Sequence, residues 1–537
     1  METRNVIIAV ILSVAVVLGY QKFFAPPLPT RQPVAKQPAV TETAPASQDT
    51  ARGIEPAPVV EKEPPAPDYP VETPLFSATI NGRGGVLKSF SLKNYRTSMD
   101  KDSGPMQLVD NRPVRDLPLL FSWGIEPDRA RIPVLVPVAS DRNTLVLSGQ
   151  MPSGLNYKKT FTFDENSYLF QMRVEVKNTT DTPLQGSPYL SLPGTIHQTK
   201  AKNRYLFSGP ALLANDGVEQ LKVAKLVKKG EKSFTGKITW IAFEDTYFMT
   251  AVVPEEMAAG SVRISPDGPA GARLLLYSPA KVLQPGETVA YNFKVFCGPK
   301  DMGLLKDADH GLARIIDFGW FGVVARPVLA ALKLINKVVH NYGVAIILLT
   351  ILIKAIFWPI TNKGMKSMKK MQKMSPMIAK LKEKYKDDKE RQNKEMMQLY
   401  KTYKINPLGG CLPMVIQIPV FFALYRVLMM AIELRHAPFA LWITDLSAPE
   451  RLNIGINIPW VGGLPLLTLL MGVSMYLQQK MTPSNPGAGS EMTKYMKFLP
   501  VFFTFLFINF ASGLVLYFLI NNLLSMAQQY FINRAND

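Results

Sequence analysis

At 537 residues the chain is long enough for two or three domains, and its 47% hydrophobic content gathers into long uncharged runs near the start and through the final third. The formal charge of +19, from 61 Lys and Arg against 42 Asp and Glu, lies largely beside those runs, which argues against a soluble nucleic-acid-binding face. The only two cysteines, Cys297 and Cys411, belong to no CxxC or Cys/His cluster, which excludes a disulfide framework and a zinc site.

In chain order, the largely apolar segment Asn5 to Tyr20 follows Arg4. The bulky stretch through Phe23 and Phe24 reads as a retained anchor over residues 1–24, because a cleavable signal needs small residues before its cut site. Residues 25–70, dense in proline and alanine and poor in aromatic residues, read as a disordered tether. Over 71–300 the pattern becomes short alternating strands. Tyr168, Phe170, Met172, Val174 and Val176 share one face, with Gln171, Arg173 and Glu175 opposite, and Val289, Tyr291, Phe293 and Val295 repeat the alternation. Turn signals at Asn81-Gly82, Gly84-Gly85 and Asp164 to Ser167 favour an antiparallel β-sandwich.

Residues 301–340 read as an amphipathic interfacial helix, interrupted near Pro327; a helix packed on the sandwich is the alternative. Hydropathy then places five spans in the core 341–537, at about Tyr342 to Ile360, Leu412 to Ile432, Val461 to Gln479, Phe498 to Ala511 and Leu514 to Met526, with Ser512-Gly513 as the turn between the last two. One long kinked helix is the competing reading of that final pair. The expected fold class is therefore a multi-pass α-helical membrane protein, one N-terminal span plus a five-helix core, carrying a large exported all-β sandwich. The stretch Lys363 to Gly410 holds 14 Lys and Arg against 5 Asp and Glu, a net of +9, so the positive-inside rule puts it and both termini in the cytoplasm.

Lys354 lies inside the span beginning at Tyr342, where a charge near the bilayer centre costs about 3 kcal/mol. Either it snorkels to the headgroups or it faces a hydrated pocket. Thr350, one turn earlier, and Gln417, Tyr517, Asn521 and Asn522 in other spans tilt the reading toward a lined cavity, although each one singly is more simply an interhelical hydrogen-bonding group. A groove of this kind shortens the hydrocarbon distance that a polar segment must cross. Residues 363–405 read as a helical hairpin broken near Lys386-Asp387-Asp388. Its Met365, Met368, Met371, Met374 and Met377 offer either an adaptable surface or, as favoured, packing against the partner helix; Lys369, Lys370 and their neighbours suit anionic lipid or ribosomal RNA. The chain has no phosphate-binding loop, HExxH or GxSxG, and its four histidines are isolated, so neither an enzyme nor a cofactor is expected.

The stretches NPLGGCLP (Asn406 to Pro413), ELRHAPFALWITDLS (Glu433 to Ser447) and FASGLVLYF (Phe510 to Phe518) strongly resemble the YidC/Oxa/Alb insertase family in its Gram-negative form. The resemblance implies an inner-membrane insertase and chaperone with a periplasmic β-supersandwich and a positively charged groove open to cytoplasm and lipid. Lys354 takes the place of the family's usual groove arginine, which keeps the charge and loses bidentate hydrogen bonding. The implied apolar slide for client helices falls on Met429, Phe502 and Phe505. The implied partners are nascent membrane proteins, the Sec translocon with its accessory proteins, the ribosome, the signal recognition particle pathway and anionic lipids. With no basic tail after Asn533, ribosome docking would rest on the 363–410 stretch. A transporter or channel for a small anion using Lys354 is the competing function.

Overall fold

The computed structural model describes residues 66–534, apart from 101, 111, 125–131, 152, 197–206, 256–259, 387, 404–411, 456–457, 459–460 and 482–489. The expected N-terminal anchor, nearly all of the tether, and Cys411 lie outside the described residues.

The alternation read from the sequence is built into sheets. In the strand Leu169–Asn178 the residues Phe170, Met172, Val174 and Val176 are all at most 2% exposed, while Gln171 and Arg173 between them face solvent. Among the described residues this strand sits near the middle of a nine-stranded antiparallel sheet. Its order is Gly217–Gln220, Gly209–Ala214, Ile238–Glu244, Phe248–Pro254, Thr288–Pro299, Leu169–Asn178, Leu155–Thr162, Thr144–Gln150 and Val136–Ser140. A five-stranded sheet containing Pro188–Thr195 and Gly271–Tyr277 covers part of it, and a four-stranded sheet begins at Asp68–Glu72, three residues before the expected boundary. Phe76, Phe90, Phe161, Phe163 and Phe170 form a run of ring contacts in the core between the sheets.

Two buried lysines pin this sandwich. Lys159 is 2% exposed and donates from Nζ to the carbonyls of Gly84 (2.8 Å), Gly85 (3.2 Å) and Leu119 (2.8 Å), so each ammonium proton has an acceptor. Gly84 and Gly85 have φ of +71° and +55°, the left-handed turn that brings both carbonyls onto the lysine. Lys300 meets the buried Glu244 carboxylate at 2.5 Å, and Gln220 donates to the other oxygen at 2.7 Å. Cys297 is fully buried with a free thiol whose pKa burial pushes up to about 12, as for a cysteine that packs as a small apolar side chain.

The helices are α1 (Val223–Lys229), α2 (Met302–Asp307), α3 (Gly322–Val339), α4 (Tyr342–Lys373), α5 (Ser375–Lys384), α6 (Lys389–Thr402), α7 (Leu412–Met430), α8 (Leu466–Met481), α9 (Ser490–Phe507) and α10 (Ser512–Arg534). Pro327 does not interrupt α3 as expected. It lies in the second turn, where its missing N–H removes one bond and the remaining turns are held by Ala325, Val328, Leu329 and Leu332 packed inward. The span beginning at Tyr342 also runs further than expected, to Lys373, so that α4 carries the first part of the basic hairpin on the same helix. The hairpin break falls between Lys384 and Lys389, as expected, and Met371, Met374, Ile378 and Tyr400 close a small core with Met396 and Leu399.

The last two spans are separate helices, not one kinked helix, but the turn is displaced. Ser512 and Gly513 open α10, with their N–H groups donating to Ala448 and Leu446, and the link is residues 508–511. Helix α10 is 23 residues long and passes the expected end at Met526, because Gln528 and Gln529, which depress hydropathy, are buried at 1% and 6% exposure in the bundle. By length and apolarity Tyr342–Lys373 suits a bilayer crossing, and Gln417–Met430 and Phe498–Phe507 are shorter apolar stretches. Helix α10 packs against α4, α7 and α8, while α3 lies on α4 and α7.

Candidate functional site

The polar residues of the bundle converge on α10, which packs against α4, α7 and α8. Along its inward stripe Asn521, Asn522, Ser525, Gln528 and Gln529 recur at the three-to-four-residue spacing of one helical face. The half-buried Lys354 of α4 donates to Ser525 Oγ at 2.7 Å, and the Ser525 hydroxyl donates in turn to the Asn521 carbonyl at 2.7 Å. Ser525 thus points a lone pair at the ammonium. Seven residues further along α4, Thr361 Oγ1 accepts from Gln528 Nε2 at 2.9 Å while its own hydroxyl reaches back to carbonyls of its helix. The two helices are joined by a polar seam with one cation in it.

The remaining expected residues divide between this seam and ordinary helix bonding. Gln417 donates to the Tyr517 hydroxyl at 2.8 Å, tying α7 to α10, and Tyr517 is 1% exposed. Thr350 shares the face of Lys354, but its hydroxyl bonds the Ile346 carbonyl of its own helix at 2.6 Å and is 2% exposed. Asn522 donates to Ser474 of α8 at 3.0 Å. Two buried oxygens, Asn521 Oδ1 and Gln528 Oε1, lack a hydrogen-bond partner among the described residues. Buried acceptors of this kind are rare and point to water or a bound polar group.

Sequence reasoning missed Ser525, Gln528, Thr361 and Ser474. The periodic recurrence of polar residues past Met526 was the signal available for α10, and it was hidden by ending the span on hydropathy. The slide residues require a correction. Met429 is 5% exposed and buried, so it is not part of a lipid-facing surface; among the described side chains of α7 the exposed large apolar ones are Ile418 (44%) and Phe422 (41%). Phe502 (52%) and Phe505 (79%) do face outward, beside Phe498 and Val501 on α9. In the hairpin Met365, Met368 and Lys369 are half-buried, Lys370 is exposed, and Met371 and Met374 are in the small core, so the packing alternative describes Met371 and Met374. Met377 (46%) and Met397 (52%) remain outward.

Residues 68–331 match the family model of the YidC periplasmic domain, and residues 334–537 match that of the 60Kd inner membrane protein. The membrane protein insertase YidC of Geotalea uraniireducens (strain Rf4) is 40% identical over 540 residues, covering 99% of both chains. The chain belongs to the YidC family. The YidC of Pelobacter propionicus is likewise 40% identical, over 556 residues and the whole of both chains. A solved YidC, described as an active insertase with the first transmembrane domain resolved, covers 87% of this chain and 94% of its own, at 20% identity and a TM-score of 0.36. The junction between the two matched models falls inside α3, the helix that connects sandwich and bundle.

Proposed function

We propose that this YidC family member inserts segments of other membrane proteins into the inner membrane and helps them fold, using the seam between α4 and α10 as a groove hydrated from the cytoplasmic side. The supporting observation is a half-buried ammonium with a neutral hydroxyl partner, Ser525, beside two buried amide oxygens without partners. Water, or a polar stretch of an entering client, satisfies all three groups. The protein's contribution is then electrostatic and geometric: a wet site within the membrane shortens the hydrocarbon path, and no nucleotide is needed.

The net +9 of residues 363–410 supports an orientation with the hairpin and the C-terminal end of α4 in the cytoplasm and the sandwich in the periplasm. The outward apolar residues Phe498, Val501, Phe502 and Phe505 of α9 give a client helix a lipid-facing track, and the hairpin lysines suit anionic lipid and a ribosome delivering nascent chains. Cooperation with the Sec translocon and delivery by the signal recognition particle fit the same reading. The full-length relatives are named as insertases, which favours insertion over anion transport.

The test is photocrosslinking from positions 354 and 505 to a stalled nascent membrane protein in vesicles holding the full chain. Adducts at both positions are expected. A client that inserts with contact at neither position overturns the groove, and normal client insertion after depletion of the protein overturns the function.

A further inference from the structure

Outside the seam, the ionisable groups Lys333, Asp301 and Glu433 connect separate parts of the molecule. Lys333 projects from α3 with its Nζ 2.8 Å from Asp301 Oδ2 and 2.6 Å from Glu433 Oε1. Asp301 follows the last strand of the sandwich. Its other oxygen caps α2 through Gly303 N (2.6 Å) and Leu304 N (3.1 Å), and its neighbour Lys300 is locked on buried Glu244. Glu433 lies in the middle of the turn Ile432–Leu434 just after α7, and its side chain is only 9% exposed. Two residues on, Arg435 donates to the carbonyls of Arg96 (2.7 Å) and Thr97 (3.2 Å) and lies over the Phe248 ring at 5.2 Å, so this turn also grips the sandwich. Sandwich, connecting helix and bundle therefore close a triangle, with one ammonium at the vertex shared by all three.

We propose that Lys333 is a positioning residue for insertion: its two ion pairs pin α3 to the end of α7 and hold the sandwich over that end, so that α4 and α7, both packed on the groove helix α10, keep their spacing when a client enters. This rests on the insertase reading. Helix α3 lies against both α4 and α7, and Phe321 just before α3 stacks on Phe422 of α7 at 5.1 Å, so release of α3 loosens the flank next to the groove. The pin needs charge at both ends. Removing Lys333 leaves Glu433 as a buried carboxylate without its counterion, and that carboxylate then favours pulling away from α3 toward water.

The experiment uses full-length protein carrying Cys411→Ser, Phe321→Cys and Phe422→Cys in vesicles of mixed anionic and zwitterionic lipid, with a flexible bis-maleimide to link the two cysteines. Two quantities are read: the initial rate of linking, and protease protection of a single-span client by the unlinked chain. Lys333→Met is expected to slow linking at least fivefold and to lower client protection about tenfold, and Glu433→Gln to do the same. Lys333→Arg, which keeps both pairs, stays within twofold of the parent. Linking the Lys333→Met chain to completion restores client protection to within threefold of the parent. Unchanged linking in Lys333→Met overturns the pin whatever the client does. Slowed linking with unchanged protection, or no recovery after linking, overturns its role in insertion. A parent chain that protects no client sinks the insertase reading alone, since the linking rates still judge the pin.

Discussion

Ser525→Ala separates a wet seam from a dry one. Lys354 is the thirteenth residue of α4, about 18 Å from its first residue at ~1.5 Å per residue, which is just past the middle of a hydrocarbon core about 30 Å thick. A lysine at that depth in dry surroundings costs about 3 kcal/mol, and a hydrogen bond from a charged donor returns about 1.5–3 kcal/mol. In a dry seam Ser525 therefore carries most of what keeps the ammonium tolerable, and its removal is worth about 2 kcal/mol or more. In a hydrated seam water takes the place of the lost hydroxyl, and the loss falls to about 0.5 kcal/mol. We expect the second outcome. The assay is unfolding of the full chain in detergent, paired with modification of a cysteine at position 354 by a membrane-impermeant cationic thiol reagent added from the hairpin side. Destabilisation of about 2 kcal/mol or more together with no modification at 354 would refute the hydrated groove.

Three further outcomes test the surroundings. Lys300→Met strands the Glu244 carboxylate, fully buried with only Gln220 left as side-chain donor, and is expected to cost about 3–5 kcal/mol, lowering the sandwich melting temperature on the order of 10 °C; a drop under ~2 °C in a thermal scan contradicts the pairing. Burial pushes the Lys159 pKa down from 10.5 to about 7, so between those pH values the unfolded chain binds the extra proton and folding stability rises with pH by up to about 1.4 kcal/mol per unit. Stability measured from pH 7.5 to 9 should show this slope in the parent and lose it in Lys159→Met; identical slopes contradict the assignment. A Cβ at Gly472 would sit 2.1 Å from Thr504 Oγ1, so Gly472→Ala is expected to destabilise the contact of α8 with α9 by about 1–3 kcal/mol, and adding Thr504→Ala should recover at least half of it. Equal stability for the single and double variants rules that contact out.

How far the sequence carried the reading depends on the distance over which each signal acts. Alternation in Leu169–Asn178 and the turn at Asp164 to Ser167 are local, and both appear in the folded sandwich as read. Lys354 was conspicuous because a single charge in an apolar run has few innocent explanations. The residues that answer it were not conspicuous: Ser525 is 171 positions away, and serine in a helix is unremarkable until its neighbour is known. Hydropathy misjudged α10 for a related reason, since it scores Gln528 and Gln529 as if they met solvent or lipid, when both are buried and Gln528 bonds Thr361 of α4. Met429 failed similarly, because an apolar residue near a helix end has the same pattern whether it faces lipid or a covering helix.

By itself the sequence determined the division into a β region and an apolar helical region, the face that strands such as Leu169–Asn178 bury, and the family to which the chain belongs. Those are matters of period, composition and short motifs, which local chain chemistry settles. Only the tertiary structure decided that α10 sits among three helices, that Lys354 meets Ser525, and that Lys333 joins Asp301 to Glu433. A periodic pattern says which face of an element is hidden. Which element hides it is chosen by packing across the whole chain.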